Sequence, residues 1–109
     1  MASAHIKTAT DQNFDQEVLK NGKPALIDFW ATWCAPCRAL APIIDDVANQ
    51  YADKVDVYKM DIDSNPETPA RFGVRGIPTV ILFKGGQVVD QVVGVVPKDH
   101  IEQMIKKAV

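Results

Sequence analysis

Residues 25–51, ALIDFWATWCAPCRALAPIIDDVANQY, run from an apolar stretch through the chain's only two cysteines into a helical pattern. ALIDFW (25–30) is short, apolar and bounded by turn-forming residues, as strands buried on both faces read. From Arg38 to Tyr51, the residues Leu40, Ile44, Val47 and Tyr51 recur at helical spacing. Asp45, Asp46, Asn49 and Gln50 fall elsewhere on the wheel, which predicts an amphipathic helix. Pro42 lies inside it and is expected to kink it, because proline removes a backbone donor and crowds the preceding turn. Cys34 and Cys37 therefore sit where a buried strand turns into a helix.

The same reading extends outward. TVILF (79–83) repeats the buried-strand pattern, VDVYKMD (55–61) alternates more, and HIKT (5–8) suits a short first strand. Gly85-Gly86 in KGGQ (84–87) predicts a hairpin into QVVDQVV (87–93), since both glycines can take positive φ. A helix over about 11–20 would turn Phe14 and Val18 inward, and Asn65-Pro66 could start a short helix ending near Gly73. In the last helix Pro97 suits the first helical position and Ile101, Met104, Ile105 and Ala108 form one stripe. Asp99 and Glu102 come early, Lys106 and Lys107 late, matching the helix dipole. This order implies an α/β sandwich, parallel pairing first and then an antiparallel hairpin. At 109 residues, without repeats or linkers, residues 1–109 are expected to form one domain.

Composition narrows the function classes. Hydrophobic residues make up 47% and charged residues 24% of the chain, the balance of a globular protein. No apolar run approaches the roughly 20 residues of a membrane helix. The start, MASAHIKTAT, resembles neither a secretory signal nor a transit peptide, so a cytoplasmic location is expected. A net charge of −2 with mixed signs argues against nucleic-acid or membrane partners.

The cysteine pair admits three readings. Zinc needs four ligands, or three and water, yet beyond Cys34 and Cys37 only His5 and His100 are on offer, neither at ligand spacing. The two histidines read as surface residues, and no metal is expected. A structural staple closing so short a loop would contribute only about 2 kcal/mol, against about 4.7 for a hundred-residue loop. The redox reading accounts for more. Residues three apart on a helix lie within the Cα separation that a disulfide accepts, so dithiol and disulfide can interconvert with little backbone motion. Cys34 at the helix N-terminus gains thiolate stabilisation from free N–H groups and the dipole. Cys37, one turn inside, is expected to be more sheltered. Pro36 fits an early helical position.

Asp28 lies inside ALIDFW, where burial should raise its pKa. It is either a satisfied core carboxylate or a group that exchanges a proton when Cys37 reacts. Lys59 falls in step with Val55 and Val57 and could serve as its counter-ion. The sequence does not set that register.

The chain resembles the thioredoxin family over essentially its whole length. The resemblance is carried by DFWATWCAPC (28–37), Pro42, KMDID (59–63), NPETPARFGVRGIPT (65–79), the Gly85-Gly86 hairpin and VVGVVPK (92–98). It implies the thioredoxin fold: a central mixed five-stranded sheet of order 1-3-2-4-5 with helices on both faces. It also implies a cis Ile77-Pro78 bond beside the cysteines and substrate pairing with the backbone at Ile77. Trp33, Ala35, Pro36, Gly76, Ile77, Pro78, Val93 and Gly94 would surround Cys34 as a docking patch. Outside the resemblance, Trp33 could be a core residue, although Trp30 is expected to be the buried tryptophan; Val93 and Gly94 could be only a strand end and a turn.

The implied function is that of a general protein-disulfide reductase. Cys34 attacks a substrate disulfide; Cys37, assisted by Asp28 with Lys59 tuning it, resolves the mixed disulfide. An NADPH-dependent thioredoxin reductase would recycle the Cys34–Cys37 disulfide, with no bound cofactor and a monomeric chain. Two other readings are a thiol oxidase or isomerase module and a binding module using the same patch. Ala35 departs from the family's commonest motif, which has glycine there, and that leaves the reduction potential open.

Overall fold

The computed structural model describes residues 3–109, so the first two residues of the expected 1–109 domain lie outside the described part. The frame is set by β2, Ala25–Trp30, whose first five residues are all buried, as its unbroken apolar run requires. It pairs in parallel with β3, Asp56–Asp61, which pairs in turn with the short β1, Ile6–Thr8. On the other side β2 runs antiparallel to β4, Thr79–Lys84, and β4 continues by a hairpin into β5, Gln87–Val93. The sheet order is β1-β3-β2-β4-β5, the expected 1-3-2-4-5. Gly85 and Gly86 make the hairpin turn with φ of +61° and +79°, conformations that glycine adopts without steric cost.

Alternation along the strands divides the core between the two faces. Leu26, Val57, Val80 and Leu82 pack under α1, Ala35–Gln50, and α3, Lys98–Lys106, against Leu40, Ile44, Val47, Ile101 and Met104. Ile27, Phe29, Tyr58, Ile81 and Phe83 face the opposite layer, which contains Phe14 and Val18. That layer is completed by α2, Glu67–Arg71, whose following residue Phe72 closes an aromatic trio with Phe14 and Phe83 at centroid distances of 5.1–5.4 Å. α1 continues unbroken through Pro42, which lies on its exposed side.

Three local expectations need adjustment. The helix expected over 11–20 is a single π-helical turn, Asp15–Leu19, entered through a turn in which Thr10 and Asn13 cap each other reciprocally, as at a helix start. Pro97 takes extended backbone as the N-cap of α3 and is not its first helical residue. Trp30 is only partly buried, because it ends β2 at the rim of the sheet.

Candidate active site

Strand direction decides where the chemistry gathers. β2 and β3 are parallel and in register, Trp30 opposite Asp61, so both finish at the same end of the sheet. β4 is antiparallel to β2 and begins there, Thr79 opposite Phe29, and β5 returns to the same end, Val93 opposite Thr79. Segments 31–34, 62–66, 75–78 and 93–95 therefore converge beyond the carboxyl ends of the parallel strands, the usual place for sites in open α/β sheets.

Cys34 and Cys37 are joined by a disulfide, with Cα atoms 5.3 Å apart. Cys34 is the N-cap of α1, in extended conformation, and its Sγ accepts the N–H of Cys37 at 3.1 Å. That bond and the helix dipole favour negative charge on Cys34. Ala35 and Pro36 occupy the first two helical positions, both exposed. The expected contrast between an exposed and a sheltered cysteine is absent in this oxidised chain: Cys34 is 3% exposed and Cys37 4%. The bond draws both sulfurs against Ala31, Trp30, Ile62 and Ile77. What distinguishes them is the backbone each sits on, a helix cap against a helix interior.

Asp28 and Lys59 are opposite one another in the β2–β3 register, which answers the question that the sequence left open. Both share the α1 face of the sheet with Leu26 and Val57, two residues before each. Asp28 is 1% exposed, and its Oδ1 has no hydrogen-bond partner among the described residues. Burial pushes its carboxyl up to about 6; Lys59 opposes that shift and Asp45 of α1 adds to it. A small cavity of about 130 Å³ lies between Lys59 and α1, lined by Trp30, Cys37, Arg38, Ala41 and Lys59. A half-ionised, poorly solvated carboxyl under the helix carrying Cys37 is chemically able to exchange a proton near pH 6–7.

The rim is apolar. Trp33 is 65% exposed and Val93 64%. The Ile77-Pro78 bond is cis, as the resemblance implied. The carbonyl of Pro78 accepts the N–H of Gly94 at 2.8 Å, where Gly94 takes φ +93°, and the Gly76 carbonyl accepts the Thr79 hydroxyl at 2.5 Å. A Cβ at Gly76 would stand 3.5 Å from Val93, so the two loops touch. Gly76, Ile77, Pro78, Val93 and Gly94 thus form one rim with Trp33, Ala35 and Pro36 at the same end.

Three residues were missed by the sequence reading. The indole Nε1 of Trp33 donates to Asp63 at 2.9 Å, Ile62 packs on the cysteines, and Val95 extends the apolar rim at 46% exposure. The signal for the first two was the turn-rich DIDSNP (61–66) after β3, which must end beside the cysteines if β2 and β3 are parallel.

The thioredoxin family model matches residues 5–107. The chain belongs to the thioredoxin family. It is 51% identical to thioredoxin 1 of Nostoc sp. over 98 residues, 90% of this chain and 92% of that one. A thioredoxin of Alicyclobacillus acidocaldarius is 50% identical over the same shares. The Rickettsia prowazekii thioredoxin is 44% identical over 104 residues, 95% of this chain and 99% of its own. No helix among the described residues of this family member is long and apolar enough to cross a membrane.

Proposed function

We infer that this chain is a general protein-disulfide reductase working by dithiol–disulfide exchange through Cys34 and Cys37. The observation that carries the reading is the disulfide between a helix N-cap cysteine and one three residues on, in a thioredoxin-family chain. In the reduced protein the Cys34 thiolate attacks one sulfur of a substrate disulfide, forming a mixed disulfide and releasing the other sulfur, which takes up a proton. Cys37 gives its proton to Asp28, attacks Cys34, and releases the second substrate sulfur. Two electrons pass to the substrate and the Cys34–Cys37 disulfide remains. Lys59 tunes Asp28, and no bound cofactor takes part. Trp33, Ala35, Pro36, Gly76, Ile77, Pro78, Val93 and Gly94 form the docking surface, with an extended substrate segment pairing to the backbone at Ile77.

Members of this family are generally reduced by thioredoxin reductase and act on disulfide substrates. For this chain the reading is a monomeric, cytoplasmic single domain over residues 1–109, recycled by an NADPH-dependent thioredoxin reductase. The test couples it to NADPH, such a reductase and a disulfide-bonded protein. The wild type should drive NADPH oxidation well above background, and Cys34→Ser should abolish it. Background turnover by the wild type would refute the assignment.

A further inference from the structure

Between β3 and α2 the chain makes one turn whose internal hydrogen bonds close on Asp61. The Asp61 carbonyl accepts the backbone N–H of Asn65 at 3.1 Å and its side-chain Nδ2 at 3.0 Å. The Asp61 carboxylate accepts the N–H of Asp63 at 2.9 Å. Asp63 is thereby fixed within the turn by its backbone, and its own carboxylate accepts the indole N–H of Trp33.

The turn is itself gripped from outside. Asn65 is 7% exposed, and its Oδ1 accepts the N–H of Asp11 at 2.9 Å. The Asp11 carboxylate accepts the N–H of Glu67 at 3.1 Å, the N–H of Thr68 at 2.8 Å and the Thr68 hydroxyl at 2.7 Å. One residue of the loop after β1 thus holds position 65 with its backbone and positions 67–68 with its side chain. Asn65 is the piece common to both grips: its amide oxygen faces Asp11 and its amide nitrogen faces Asp61. An asparagine fits because it supplies one acceptor and two donors on one rigid group.

We propose that Asn65, held by Asp11, is a positioning residue for Trp33. It fixes the Asp61–Asn65 turn, hence Asp63, hence the orientation of an indole otherwise surrounded largely by solvent. A side chain already ordered before contact loses less freedom when a partner docks, so the clasp acts on affinity and leaves the sulfur chemistry alone. The proposal rests on Trp33 being part of the docking surface.

The decisive variant is Asn65→Asp, which keeps the acceptor for Asp11 and replaces the donor to Asp61 by an acceptor. Asp11→Ala is the second, loosening the grip from the less buried side. In both, KM for a disulfide-bonded protein should rise about threefold to tenfold, the scale of one lost hydrogen bond, with kcat within about twofold of wild type. The Trp33 indole N–H resonance should shift and exchange faster with solvent, while that of Trp30 stays put. Trp33→Phe is the control. If it raises KM and neither clasp variant does, the proposal is overturned. It is equally overturned by a fall in kcat at constant KM, or by an unchanged Trp33 resonance. If Trp33→Phe itself leaves KM unchanged, the docking role of Trp33 has failed, and the indole resonance alone decides whether the clasp positions it.

Discussion

At the scale of single residues, the least comfortable side chain is Asp28. Its carboxyl is pushed up to about 6 in the folded chain, against about 3.9 when unfolded. Between those values the native state binds more protons than the unfolded state, so this group makes stability fall as pH rises through that window. Above pH 6 the cost is fully present, on the order of 3 kcal/mol; below about pH 4 it disappears. Asp28→Asn should therefore stabilise the oxidised protein at pH 7 by up to that amount, and the gain should shrink toward zero at pH 4. Urea titrations of both proteins at the two pH values check this, and a gain independent of pH would discredit the burial account. A residue kept at such a cost is consistent with the proton-transfer role and weighs against a satisfied core carboxylate, since its Oδ1 has no partner among the described residues. The sequence exposed Asp28 because a charge inside ALIDFW breaks the apolar pattern. The turn-rich DIDSNP could place Asp63 and Asn65 near the cysteines but not reveal their roles, because an Asx-rich turn looks the same whether or not a tryptophan rests on it.

At the scale of elements, the β4–β5 hairpin offers the sharpest contrast. Both turn glycines hold positive φ, but a Cβ on Gly85 meets nothing within 4 Å, whereas one on Gly86 stands 3.3 Å from the carbonyl oxygen of Leu19. Gly85→Ala should cost about 1–2 kcal/mol, the ordinary left-handed penalty for a residue with a Cβ. Gly86→Ala should cost more, because the π-helical turn must move as well. Equal losses in thermal unfolding would show that the turn yields freely. All five strands were legible from apolar runs and turn residues, and the two long helices from their periodicity. The segment over 11–20 was read as too long because Phe14 and Val18 mark a buried face without marking where the helical hydrogen bonds begin and end. The Asp28–Lys59 register was beyond reach for a related reason: parallel strands are joined through distant segments, so no turn between them fixes their alignment.

At the scale of the whole molecule, the disulfide closes a loop of four residues in a sheet held by two packed faces. Reducing it should lower unfolding stability by about 2 kcal/mol while far-ultraviolet circular dichroism stays unchanged. Loss of sheet signal on reduction would mean that the crosslink carries structure and not only electrons. The alternation of strand directions has a further consequence. The segments that meet at the reaction centre are contributed by residues 31 to 95, and they meet only after β2, β3, β4 and β5 have all found their partners. A nascent or partly unfolded chain carries both cysteines yet lacks the helix N-terminus, the apolar contacts of Ile62 and Ile77 and the Trp33 brace around them. Its thiols would have the reactivity of ordinary cysteines. Electron delivery is thus gated by quality of folding, so a damaged copy loses its selectivity along with its shape.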